Sequence, residues 1–290
     1  MDAPFLIEDL DLILELTGTG LAQLADELGV SRMTLNRWYR NPQAISKENL
    51  ECVYRYAFGR GIRLNLIHEQ LFQEEASSVG AIPLYHGSKA GISGTVSLER
   101  SQPDNDFGPG FYCGDSLEQS AMFIARYPDS VLYSVAFRPS GLARQSYVVD
   151  RDWMLTIALY RGKLEAYRDD ALLRRLAARV EAADYVTAPI ADNRMFALID
   201  SFIDGEITDV QCQHSLSATD LGSQYVLRTQ KALDALVGLQ PRYLCQPERN
   251  HYTRQRKESN ALGTDKVKIA KRQYRGQGAY IDEILEGGMQ

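Results

Sequence analysis

Cysteine and histidine are scarce in this 290-residue chain, with four of each. Cys52, Cys113, Cys212 and Cys245 never fall in Cys-x-x-Cys spacing, so they encode neither a disulfide framework nor a zinc ribbon. They read as small buried apolar groups in a reducing cytoplasm, which is the expected location. His68, His86, His214 and His251 are dispersed, and no local spacing suggests a metal site. No apolar run reaches the roughly 18 residues of a membrane span, so no membrane partner is expected. The Met-Asp-Ala-Pro start lacks the basic-then-apolar order of a signal peptide. Internal repeats and low-complexity tracts are absent as well. What is present is ordinary globular composition, 44% hydrophobic and 24% charged, enough for a real core. The net charge of −6 argues mildly against a dedicated nucleic-acid binder.

Charge is unevenly placed. Residues 1–75 carry seven Lys/Arg against twelve Asp/Glu, whereas residues 240–275 carry ten against three. The basic tail (Arg254, Arg256, Lys257, Lys266, Lys268, Lys271, Arg272) reads as a solvated face or as a dock for an acidic or nucleic-acid target. The first region has helical periodicity: Leu6, Ile7, Leu10, Ile13 and Leu14 share one face, and three further helices follow. Residues 73–82 lose that periodicity and predict a boundary between a domain over 1–75 and a second over 80–290. Beyond it, apolar runs at 82–85, 131–137 and 225–227 read as strands. Helices are expected over about 116–127, 152–161, 164–183, 193–204 and 229–237, with an amphipathic stretch at 265–285. The mixture lacks a regular βαβ repeat and predicts an α+β fold.

The first region fits a helix-turn-helix. Ala25 is the small residue where two helices cross, Gly29 supplies the positive φ of the turn, and Leu24, Leu28, Val30, Leu35 and Trp38 fill the shared interface. The second helix presents Ser31, Arg32, Thr34, Asn36, Arg37 and Arg40 outward. Arg and Asn read guanine and adenine edges, while Ser31, Thr34 and Arg40 suit phosphates. No acidic residue falls between Leu28 and Ser46. Packing or dimerisation without DNA is the alternative, and the acidity of residues 1–75 favours it. The readout chemistry of the outward positions favours DNA.

In the second region an apolar strand ends in Tyr85-His86-Gly87-Ser88. A glycine there allows close approach to backbone that pairs with a planar amide. Further on, Asp106-Phe107-Gly108-Pro109-Gly110-Phe111-Tyr112 sets aromatics behind a rigid turn, where a ring can stack on a ligand. Each piece alone is as readily a turn or a core element. In order, together with Ser223-Gln224-Tyr225, they resemble the diphtheria-toxin-like ADP-ribosyltransferase superfamily. The likeness is greatest to a bacterial family of unassigned function within it, which shares the Asp-Tyr-Val…Pro-x-Ala-Asp-Asn-Arg stretch at 184–194 and the tail at 274–278. The resemblance covers about 82–285.

It implies an ADP-ribosyltransferase-like split β-sheet core with surrounding helices, preceded by the small all-α helix-turn-helix domain. It implies NAD as substrate, with His86 on the adenine-side ribose, Gly87 on the nicotinamide amide and Ser88 beside the nicotinamide ribose. Tyr112, with Tyr85, would stack on the nicotinamide, and Gly110 and Phe111 would complete the wall. A glutamate usually steadies the oxocarbenium-like ribose, and here Gln224 holds that position. It accepts from a hydroxyl but carries no charge. Either the domain is slow or inactive, or another carboxylate substitutes, with Asp192 ahead of Glu206 and Asp220. No metal is implied. The acceptor would be a protein or nucleic acid, and a toxin with a cognate antitoxin or an NAD-sensing transcriptional regulator are the two roles expected.

Overall fold

The computed structural model describes residues 5–191, 193–218 and 222–286. Among them the helices are α1 (Leu6–Thr17), α2 (Leu21–Leu28), α3 (Arg32–Arg40), α4 (Lys47–Gly59), α5 (Leu64–Ser78), α6 (Leu117–Ile124), α7 (Arg151–Tyr160), α8 (Ala171–Glu181), α9 (Asn193–Ile203), α10 (Asp209–Ser217), α11 (Gln230–Asp234), α12 (Gln246–Gln273) and α13 (Ile281–Glu286). The strands are β1 (Ile82–Ser88), β2 (Phe111–Gly114), β3 (Val131–Phe137), β4 (Arg144–Ser146), β5 (Tyr185–Pro189), β6 (Ser223–Leu227) and β7 (Leu236–Arg242). The fold is α+β, with both parallel and antiparallel strand pairs. The chain divides into two compact units. One comprises residues 1–93, 120–137 and 237–255, the other 94–119, 138–236 and 256–290. Among the described residues, no helix is long and apolar enough to cross a membrane.

In the first unit the apolar stripe of α1 (Leu6, Leu10, Ile13) packs with Leu24, Leu28, Leu35, Trp38, Leu50 and Val53. Asp9 lies on the buried side of the same helix and is fully buried. It is tolerated because it accepts from the Tyr54 hydroxyl and pairs with His68 Nε2, which ties α1 to α4 and α5. The expected loss of helix at 73–82 gives way to an α5 that runs to Ser78. Phe72 and Ala76, one turn apart, continue its buried face and cluster with Ala81 and Ala136. β1 pairs antiparallel with β3, from Ile82 opposite Phe137 to Ser88 opposite Val131, and β7 flanks β3. The stretch after β7 returns to the helices. Tyr243 donates to Glu51 at 2.8 Å, and Asn65 Nδ2 donates to the Tyr243 carbonyl at 2.8 Å and to the Glu248 carboxylate at 3.0 Å.

In the second unit the strands run β4-β5-β6-β2. One face of this sheet, through Val186, Ala188 and Val226, joins Trp153, Met154 and Ile157 of α7, Leu173 and Leu176 of α8, and Leu198 and Phe202 of α9. Asp150 caps α7 by accepting from Trp153 N at 2.8 Å. The expected helix over 164–183 is interrupted. A short 3-10 turn at Glu165–Tyr167 precedes α8, whose first turn is capped by Asp170. The helix expected to 237 ends at Asp234, because Leu236 already begins β7. The tail helix starts far earlier than 265. α12 spans 28 residues from Gln246, and Gly276 and Gly278 at positive φ separate it from α13.

Candidate functional site

The helix-turn-helix geometry forms around Gly29. Its φ of 69° is the left-handed value the turn requires, and Val30 N then reaches back to the Ala25 carbonyl at 3.0 Å. Ala25, at 1% exposure, admits the close crossing, and Leu24, Leu28, Leu35 and Trp38 are buried as expected. Ser31 caps α3 by accepting from Thr34 N at 3.0 Å. That commits the Ser31 hydroxyl to the helix terminus, and the Thr34 hydroxyl bonds to it at 2.9 Å. Arg32, Arg37 and Arg40 are exposed, while Thr34 and Asn36 are half-buried. Glu27 on the preceding helix is occupied by the Tyr56 hydroxyl and by Arg60 at 2.8 Å. The carboxylate of Glu27 is thus paired with α4 and its C-terminal end, and the three arginines of α3 stand exposed.

Still in the first unit, β1 carries the Tyr-His-Gly-Ser segment. Tyr85 is buried at 1% exposure, its hydroxyl accepting from Gln73 of α5 at 3.2 Å, and burial pushes its phenol up to about 12. His86 is half-buried, with its ring centroid 6.3 Å from that of Tyr133. Ser88 donates to the Gly91 carbonyl at 2.9 Å, and Tyr133 accepts from Ile92 N at 2.8 Å, which folds the segment after β1 back on the strand. At Gly87 a Cβ would lie 2.6 Å from Ile124 Cγ2 and 3.0 Å from the Ser120 carbonyl. Close packing of α6 on β1 thus requires this glycine.

In the second unit, Tyr112 lies opposite Val226 in the β2–β6 pair, and Gln224 lies opposite Gly114. Strand alternation puts Tyr112 and Gln224 on one face and turns Cys113 to the other. Burial raises the Cys113 thiol well above its ordinary value, which leaves it an inert apolar group. The Tyr112 hydroxyl donates to the Gly108 carbonyl at 2.7 Å and accepts from Phe107 N at 3.1 Å, clasping the loop that carries Asp106. Gly108 has φ 74° with the Tyr160 ring 3.1 Å from where a Cβ would stand, and at Gly110 a Cβ would meet Val226 Cγ1 at 2.6 Å. Phe111 is buried.

Gln224 is 7% exposed, and its Nε2 donates to Asp106 Oδ2 at 3.2 Å and to the Pro189 carbonyl at 3.0 Å. Two amide hydrogens facing two acceptors fix which end of the side chain is which. Asp106 also receives Arg161 Nη1 at 3.1 Å. Burial raises its carboxyl, against the lowering pull of Gln224 and Arg161. The Arg161 guanidinium in turn lies 3.6 Å over the Phe196 ring. Arg228 Nε donates to the Phe107 carbonyl at 3.1 Å, so the loop is held from three sides.

Asp106 and Arg161 are the residues that sequence reasoning passed over. Asp106 opens the Asp-Phe-Gly-Pro-Gly segment itself, and an acidic residue directly before a glycine-proline turn was the available signal. Asp192 and Asp220 lie outside the described residues. Glu206 is exposed in the turn between α9 and α10. Arg194 of α9 donates to the Asn260 carbonyl of α12 at 2.7 Å. Among the described residues no group of three or more His, Cys, Asp or Glu could hold a metal ion.

These features define an α+β protein with a helix-turn-helix near its N-terminus and a polar knot beneath an aromatic strand. Residues 82–237 match the DUF3990 family, described as a protein of unknown function, and the chain belongs to that family. No curated protein and no solved structure matches it.

Proposed function

We propose that the protein is an NAD-dependent ADP-ribosyltransferase of the split-sheet type, carried to its target by the helix-turn-helix. In that reaction the nicotinamide–ribose bond of NAD breaks and nicotinamide leaves with the bonding pair. A nucleophile on a protein or nucleic-acid acceptor then joins the ribose carbon and gives up its proton. The observation that carries the reading is the shared face of β2 and β6, with Tyr112 opposite Val226 and Gln224 two register steps further along, opposite Gly114. An aromatic ring and a fixed amide carbonyl on one face suit a nicotinamide and a ribose hydroxyl. The resemblance assigns His86, Gly87 and Ser88 of β1 to NAD as well, and Tyr85 is the buried anchor of that strand. Labelled NAD and a cell lysate should give labelled acceptor and free nicotinamide. Both should be lost in His86→Ala. Folded wild-type protein that yields neither would refute transfer.

A second reading is favoured by the pairing of Gln224. Its amide is spent on Asp106 and Pro189, and it brings no charge to a developing cation. On this reading the protein binds NAD as a signal and regulates transcription through α3. Gel shift against genomic fragments separates the two: operator binding that responds to NAD, without nicotinamide release, selects the regulator.

A further inference from the structure

A cavity of about 370 Å³ opens in the first unit between α1, α5 and β7. This lies within the roughly 300–1,000 Å³ range of small-molecule sites. Phe5, Leu12, Leu71 and Phe72 give it apolar walls, and Gln240 and Arg242 line it from β7. Arg242 is unusual among these residues, because it is a guanidinium only 4% exposed. Its Nε donates to Ser134 Oγ at 3.1 Å and its Nη2 to Gln240 Oε1 at 3.1 Å, and its central carbon lies 4.4 Å from the Phe5 ring centre. Its Nη1 is buried and makes no hydrogen bond. Asp9, the fully buried carboxylate whose charge Arg242 feels, is committed to Tyr54 and His68. A buried cation with an unspent donor is costly unless an acceptor arrives, and a carboxylate is the natural match for its planar fork.

The other charges on the cavity narrow the ligand. Glu8 and Glu75 also line it, at exposed positions, and they repel an anion in proportion to its charge. A phosphate or dicarboxylate therefore meets about twice the repulsion that a single carboxylate on an apolar body does.

We propose that this cavity binds a small organic monocarboxylate. The carboxylate pairs with the Arg242 guanidinium, and the aliphatic or aromatic body lies against Phe5, Leu12, Leu71 and Phe72. The site also has a mechanical connection to the reading helix. Phe5, just before α1, and Glu8 and Leu12 of α1 face the ligand, while Leu6, Leu10 and Ile13 of that helix share a core with Leu35 and Trp38 of α3. Occupancy would therefore bear on α1 from a face adjacent to the one it shares with α3. The proposal requires neither NAD turnover nor DNA binding, so it stands or falls separately from them.

Isothermal titration calorimetry on the full chain tests it, with phenylacetate, 3-phenylpropionate and hexanoate as probes and phenethylamine and phenyl phosphate as controls. At least one carboxylate should bind with one-to-one stoichiometry, and both controls should bind at least about tenfold more weakly. Leu71→Trp, at a position 53% exposed, should fill the cavity and weaken the best carboxylate about tenfold or more, with the melting temperature preserved. Arg242→Lys should weaken it as well. The proposal is overturned if no carboxylate gives binding heat, if the amine binds as tightly, or if Leu71→Trp leaves affinity unchanged.

Discussion

Asp106 and Gln224 make sense only as a pair. A carboxylate 3.2 Å from an amide nitrogen is satisfied, whereas two carboxylates in the same buried place are not. Gln224→Glu, the change to the glutamate usual in the transferases that the sequence resembles, should therefore destabilise the protein by about 3 kcal/mol. Adding Asp106→Asn should recover most of that loss, because the asparagine amide then donates to the new carboxylate. Urea midpoints of the two single variants and the double variant measure the coupling, and simple additivity would dissolve the pair. Any attempt to gain transfer activity by Gln224→Glu alone meets this repulsion first. Glu248 offers a second residue-scale test. Burial raises its carboxyl to about 7 from an ordinary 4.5. The folded state thus holds a proton that the unfolded state has released between those values. Its contribution to stability is full below about 4.5 and is lost as pH rises through about 7. Across that window the loss approaches about 3 kcal/mol. Melting temperatures of wild type should fall over this range relative to Glu248→Gln, which keeps an acceptor for Asn65 and has nothing to titrate.

At the scale of elements, α2, the turn at Gly29 and α3 form the part of the molecule most directly tied to its residues. Ser31→Ala removes the cap and should cost about 1 kcal/mol. Replacing Arg32, Arg37 and Arg40 together by Ala should change stability by no more than about 0.5 kcal/mol, since all three are exposed. If α3 reads DNA as proposed, the same change should flatten the salt dependence of that binding by roughly one unit of slope per lost phosphate contact. Unchanged gel shifts in the triple variant would leave α3 a packing helix. These helices were legible in advance because caps, glycines and apolar spacing agree there. The same is true of β1 and β3, strands of seven residues each that contain the apolar runs at 82–85 and 131–137. β2 and β4 were not legible. They span four and three residues, too few for alternation to register, and β2 follows directly on Gly110. The first half of α12 was missed for another reason: Gln246–Asn260 is polar on nearly every face, so no period exists to read. Of the candidate site, Tyr112 and Gln224 were visible as types in order. Asp106 acquires meaning only through contacts 118 residues away in sequence, which no local pattern reports.

For the molecule as a whole, the acidic N-terminal helices and the basic tail are not self-contained modules. The core around Leu6, Trp38 and Tyr54 includes Cys245, and Glu51 and Asn65 bond to residues 243–248. A fragment of residues 1–79 should consequently be less cooperative in urea than the full chain and should bind a hydrophobic dye. A sharp, stable transition in that fragment would show that the later stretch is dispensable. The same arrangement sets a schedule for synthesis. Helices α1 to α5 leave the ribosome first, yet Tyr243 and Cys245 follow more than 160 positions later. At about 5–20 residues per second that is a wait of roughly 10–30 s. For that interval Leu64 and Tyr54 face water or a chaperone, and the first unit closes its core only when translation is nearly complete.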